Sequence, residues 1–145
     1  MIPFKKDAKA EALVIHCSDH RFQAHIDDFL HNNLGLTTYD RLAIPGGPQF
    51  FFTPAHIPKF EWAGRRWTQF LAEKHGLKEI ICIAHEDCGW YKNFEILGFK
   101  LSLKDLQIND LRKTENAIQE MLPGTKVRLF FAGIKDGTVN FTEIT

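Results

Sequence analysis

Two short apolar runs, Ala12-Leu13-Val14-Ile15 and Ile80-Ile81-Cys82-Ile83-Ala84, are rich in β-branched residues, and each gives way abruptly to chemically active side chains. Continuous runs of this kind suit strands buried on both faces of a parallel sheet. Parallel strands in turn need crossover connections, usually helices. The segment after Arg21 supplies one, with apolar residues at Phe22, Ile26, Phe29 and Leu30 and Gly35 as its C-terminal cap. A second helical stripe runs from Phe60 through Ala63, Trp67, Phe70 and Leu71 to about His75, with Gly76 as the stop.

The rest of the chain extends this pattern. Tyr39 to Ile44 reads as a strand broken by Pro45-Gly46-Gly47-Pro48, and a third helix is expected from about Leu103 to Leu122, ended by Pro123-Gly124. Its apolar positions fit the helical period only loosely. Val127 to Ile134 reads as a strand, and Asp136-Gly137 is a hairpin signal leading into a last strand, Thr138 to Ile144. Gln49 to Lys59 and Trp90 to Lys100 receive no regular structure. The fold class is therefore α/β: a mainly parallel sheet of about five strands, with an antiparallel edge hairpin, flanked by helices.

Charge and cysteine usage narrow the function classes. Lysine plus arginine equals aspartate plus glutamate, 18 against 18, so no global field favours nucleic acid or a membrane surface. No apolar run approaches a membrane span, and Met1 to Ala12 lacks the apolar stretch of a secretory signal. The reading is a cytoplasmic protein whose 145 residues form one domain. Three cysteines, Cys17, Cys82 and Cys88, are an odd number at unequal spacing, which favours metal binding or free thiols over a disulfide framework.

The chemistry concentrates in two clusters. Cys17-Ser18-Asp19-His20-Arg21 follows the first strand, and His85-Glu86-Asp87-Cys88-Gly89 follows the third. Carboxyl ends of parallel strands open into a crevice where ligands gather. Zinc takes thiolate and imidazole ligands, and its catalytic sites use three protein ligands with one position left open. Cys17, His85 and Cys88 supply such a set, and the two residues between His85 and Cys88 let both reach one ion. A cysteine-histidine nucleophilic dyad of Cys17 and His85 stays open, although it leaves Cys88 and Asp19 without a role. A cysteine-phosphatase loop is excluded by the short spacing from Cys17 to Arg21, and a dithiol redox pair by the absence of two cysteines two residues apart. Cys82, between isoleucines, reads as a small buried hydrophobe. His25, His31, His56 and His75 read as solvated or locally bonded, and Phe60, Trp67 and Phe70 as core.

Together, Cys17-x-Asp19-x-Arg21 and His85-x-x-Cys88-Gly89 resemble the motifs of the β-class carbonic anhydrases, and the similarity in element order covers about Ala12 to Ile144. The resemblance implies that Cys17, His85 and Cys88 ligate Zn2+ and that Asp19 and Arg21 form a catalytic dyad. It implies two roles for Asp19: hydrogen-bond acceptor for water activated by the metal, or fourth ligand when its pairing with Arg21 breaks. The implied activity is reversible hydration of carbon dioxide to bicarbonate. Hydrolysis of carbonyl sulfide or carbon disulfide, or a zinc protein without hydratase activity, are the alternatives.

The chain departs from the family at Arg41-Leu42-Ala43-Ile44-Pro45-Gly46-Gly47-Pro48, where members usually carry Arg-Asn-Ala-Gly, and at His20, where serine is common. His20 either relays protons or fills space. Family dimers imply a homodimer or higher homo-oligomer here. Phe50 to Phe52 and Trp90-Tyr91 to Phe94 are the expected partner surface, because three consecutive phenylalanines cannot all face one core.

Overall fold

The structure, a computed structural model, describes residues 1–52, 58–93 and 102–145. All six residues of β1 (Ala12–Cys17) are buried, as its apolar run requires. A helix, α1 (Gln23–Asp28), continues into a π-helical turn over Phe29–Asn33 and leads to β2 (Tyr39–Ile44). A 3-10 turn over Gly47–Phe52 precedes α2 (Pro58–His75), followed by β3 (Glu79–His85) and the short α3 (Gly89–Lys92). The long α4 (Leu103–Met121), β4 (Lys126–Lys135) and β5 (Thr138–Ile144) complete the order.

The sheet runs β2-β1-β3-β4-β5. β2, β1, β3 and β4 are parallel, and β5 returns antiparallel to β4, so the expected architecture is present. Side chains on β1 alternate between two cores. Leu13 and Ile15 join Phe51, Leu111 and Ile118 on one face, while Ala12 and Val14 meet Phe22, Ile26 and Phe29 on the other. Cys82 is fully buried, with its thiol pKa raised by desolvation, in keeping with a purely structural role.

Three expectations fail for physical reasons. Phe60, Trp67 and Phe70 are not core; each remains about half exposed (50%, 49% and 50%). The face of α2 turned inward is Gly64, Thr68 and Ala72, spaced four apart. A Cβ on Gly64 would lie 2.0 Å from the Phe50 ring, so residue size rather than hydrophobicity selects this face. The partner-surface expectation also fails for Phe50, Phe51 and Tyr91, which are 4%, 0% and 2% exposed and face the interior of their own chain. Gln49 to Lys59 is not irregular throughout, since the 3-10 turn folds Phe50 and Phe51 under the sheet and α2 begins at Pro58. His56 and Phe94 lie outside the described residues.

The loose periodicity of α4 has a related cause. Its buried face includes Gln107, Asp110 and Thr114 beside Leu111, Ala117 and Ile118. These polar groups are satisfied: Tyr91 donates to Asp110 at 2.8 Å, and Thr114 donates to the Asp110 carbonyl at 2.8 Å. Ser102 caps the helix by accepting from the Asp105 amide.

Phe51→Ala should lower unfolding free energy by about 3–5 kcal/mol in urea titrations of the metal-free protein, the range for deleting a fully buried aromatic. A cost below about 1 kcal/mol would contradict the interior placement of this turn.

Candidate metal centre

β1 and β3 are neighbours, with Ile15 opposite Cys82 and His16 opposite Ile83. Their carboxyl ends therefore deliver Cys17 and His85 to one place, where the connection from β1 to β2 departs in one direction and the sheet continues through β3 in the other. Such a switch point leaves a crevice. The backbone at Asp87 then turns left-handed, with φ of 59°, and brings Cys88 back beside both. Ligand atoms of Cys17, His85 and Cys88 lie within 4.8 Å of one another, and all three residues are buried.

The donor chemistry fits a metal ion. His85 Nδ1 lies 2.7 Å from the Glu86 carbonyl oxygen, which can only accept, so Nδ1 carries the proton. Nε2 is left as a bare lone pair, buried and without a hydrogen-bond partner among the described residues. An imidazole oriented by a carbonyl on its other nitrogen is the usual arrangement of a metal-ligating histidine. Gln107 donates to the His85 carbonyl at 2.8 Å, and Phe22 packs against the ring with centroids 4.2 Å apart.

The two thiols face each other at 3.9 Å. The Cys88 hydrogen bond lowers the Cys17 pKa against the opposing cost of burial, helped by His85 and by the backbone amides of Asp19 and Gly46. The Cys88 pKa moves up because it faces Cys17 and is buried, although the amides of Tyr91 and Trp90 pull the other way. Backbone amides thus favour the ionised form of each thiol, those of Asp19 and Gly46 at Cys17 and those of Tyr91 and Trp90 at Cys88.

Asp19 and Arg21 stand at the rim. The Arg21 backbone amide donates to Asp19 Oδ1 at 3.0 Å, its Nε donates at 3.1 Å, and Nη2 donates to Oδ2 at 2.6 Å. Those Arg21 hydrogen bonds hold the Asp19 pKa at about 2. His20 projects into solvent with its side chain 94% exposed, so it does not fill space. An open cleft of about 390 Å³ lies above, bounded by Cys17 to Arg21, Pro45, Gly89 and Trp90. Pro45 and Trp90 also wall an apolar groove of about 240 Å³ with Ile44, Phe50, Phe60 and Trp67.

Two contributors escaped the sequence reading. Asp87 accepts from Arg21 Nη1 at 2.8 Å and pairs with Lys92, yet its only sequence signal was a carboxylate inside the His85-to-Cys88 loop. Gly47, at φ of 55°, packs its Cα against β1: a Cβ there would lie 2.8 Å from the Cys17 nitrogen. The Pro45-to-Pro48 loop thereby buttresses the backbone of a candidate ligand residue.

The architecture is that of the β-carbonic anhydrases. The β-carbonic anhydrase isoform I of Trichomonas vaginalis superposes with a TM-score of 0.58, covering 97% of this chain and 86% of that one at 13% identity. A carbon disulfide hydrolase, solved in its apo form, superposes at 0.56 over 91% and 78% of the two chains with 14% identity. An uncharacterised protein of Rickettsia bellii is 28% identical over 137 residues, 90% of this chain and 80% of the relative. Residues 7–141 match the family model described as "Putative carbonic anhydrase", and the chain belongs to that family.

Gly47→Ala should lower stability by more than about 1 kcal/mol, since the left-handed backbone alone costs an L-residue about that much. It should also weaken affinity for an ion at the candidate site, measured by competition with a chromophoric chelator; unchanged stability and affinity would contradict the buttressing role.

Proposed function

We propose that residues 1–145 act as one domain with zinc-dependent lyase activity, reversibly hydrating carbon dioxide to bicarbonate. The observation that carries this reading is the convergence of two thiols and one orphaned imidazole nitrogen within 4.8 Å, beneath a cleft rimmed by an ionised carboxylate. Cys17, His85 and Cys88 would hold the ion, because soft sulfur and imidazole donors suit zinc rather than magnesium or calcium. When bound, zinc supplies Lewis acidity that brings the ionisation of water to about pH 7 in favourable sites.

The chain's own groups do the remainder. Asp19, with its pKa near 2, stays ionised and accepts a hydrogen bond from the attacking water, turning that water's lone pair toward the substrate carbon. Arg21 keeps the Asp19 carboxylate charged and aimed. Released from Arg21, the same carboxylate would be a ready fourth ligand, since zinc also accepts carboxylate oxygen. Pro45 and Trp90 give the cleft an apolar wall suited to an uncharged substrate.

A second reading, hydrolysis of carbon disulfide or carbonyl sulfide at the same site, is favoured by the apolar groove that shares this wall. It gains some support from the fold shared with a carbon disulfide hydrolase. We further propose a cytoplasmic homodimer. The unpaired thiols suit a reducing compartment, and among the described residues no helix is long and apolar enough to cross a membrane. The exposed side chains Phe60, Trp62, Trp67 and Phe70 along α2 supply an apolar face for a second copy.

Purified protein should carry about one zinc per chain, and Cys88→Ser should lose it. A metal-free, fully folded wild type would defeat the zinc reading. Stopped-flow hydration of carbon dioxide should exceed background with the zinc-loaded protein. Asp19→Asn should cut turnover by roughly a hundredfold or more while retaining metal. Sulfide release from carbon disulfide without carbon dioxide hydration would select the second reading, and neither activity at full zinc loading would leave a non-catalytic zinc protein. Trp67→Asp should shift the sedimentation profile from dimer toward monomer; an unchanged profile would remove α2 from the interface.

A further inference from the structure

Arg21 serves two carboxylates. Besides its contacts with Asp19, its Nη1 donates to Asp87 Oδ2 at 2.8 Å and its Nη2 donates to the Asp87 backbone carbonyl at 3.1 Å. Asp87 is held from its far side by Lys92, on α3. The backbone at Asp87 is left-handed, a conformation that aspartate and asparagine tolerate better than most residues. One strained residue thus presents both its carbonyl and its carboxylate to the same guanidinium.

The consequence follows from exposure. The Arg21 side chain is 47% exposed and that of Asp19 only 13%, so pairing with Asp19 alone would leave a long, half-solvated side chain free to swing into water. Exposed ion pairs of that kind are weak because ordering the side chain costs entropy. A guanidinium gripped along two edges by charge-assisted hydrogen bonds has far less freedom.

The geometry points to Asp87 as the positioning residue that holds Arg21 in place, and through it keeps the Asp19 carboxylate turned to Arg21 rather than to the metal position. The consequence for the metal rests on the zinc reading above; the hold on Arg21 does not. Without the Asp87 carboxylate, Arg21 disengages more often, and Asp19, two residues from Cys17, becomes a competing oxygen ligand.

Asp87→Asn removes the charge while retaining the backbone preference, and Asp87→Gly removes the whole side chain from a position where glycine is at ease. Both variants should therefore fold, as circular dichroism would verify. In metal-free protein, the Arg21 Nε–H resonance, assigned through Arg21→Lys, should be sharp and slow to exchange in the wild type. In both variants its exchange should quicken by about tenfold or more, the order expected when a charge-assisted hydrogen bond is lost. Equal exchange in wild type and variants would overturn the proposal.

Cobalt-loaded protein supplies the second readout. The d–d absorption of Asp87→Asn should change from the wild-type spectrum as an oxygen ligand joins, and Asp87→Asn/Asp19→Asn should restore it. Faster Arg21 exchange with an unchanged cobalt spectrum would overturn the control of Asp19. A wild type that takes up no cobalt, with the expected exchange difference, would overturn the metal reading and leave the Asp87–Arg21 hold standing.

Discussion

The pairing of β1 with β3 is the constraint on which the site depends. These strands are adjacent and parallel, so Cys17 and His85, far apart in sequence, emerge side by side at the carboxyl end of the sheet. Cys88 needs only the single left-handed turn at Asp87 to join them. A register shift of one residue between the two strands would reverse which face each side chain meets. The buried runs on both strands oppose such a slip, because Leu13 and Ile15 would have to exchange cores with Ala12 and Val14.

Around this pairing the chain builds a rigid shell from polar groups inside its own core. Gln107 on α4 holds the His85 carbonyl, and Asp110 on the same helix receives the Tyr91 hydroxyl. Trp90, beside Tyr91 on α3, donates to Gln49 in the 3-10 turn. Burying such groups is costly unless each finds a partner, and here the partners lie on the loops that carry or flank the candidate ligands. Glu86 adds a tether on the other side, accepting from the Ile134 amide at 2.7 Å while its own amide donates to Ala132 at 2.9 Å.

Much of this was legible in the sequence, and the exceptions share a cause. β1 and β3 were readable because strands buried on both faces are apolar at nearly every position, which leaves no ambiguity of phase. Cys17, His85 and Cys88 were readable because their types are chemically distinctive and each cluster directly follows a strand. The direction of α2 was not, since a pattern reading ranks residues by hydrophobicity, whereas the close approach of the Phe50 ring leaves no room for a side chain at Gly64. Phe50 and Phe51 were misread as surface because a 3-10 turn has no long period to detect. Asp87 was passed over because an aspartate in a loop is ordinarily a solvated turn residue, and only the fold brings Arg21 to it.

The inverted packing of α2 alters how this helix can vary. On an ordinary amphipathic helix the inner face suffers most when side chains are made smaller, and the outer face drifts freely. On α2 the inner face suffers when side chains are made larger: a methyl group at Gly64 already collides with an aromatic ring. Variation on this helix should therefore be filtered by volume on one side, while the other is free to exchange its large aromatics unless a second molecule covers them. A substitution table built on hydrophobicity alone would rank the tolerated changes on α2 in the wrong order.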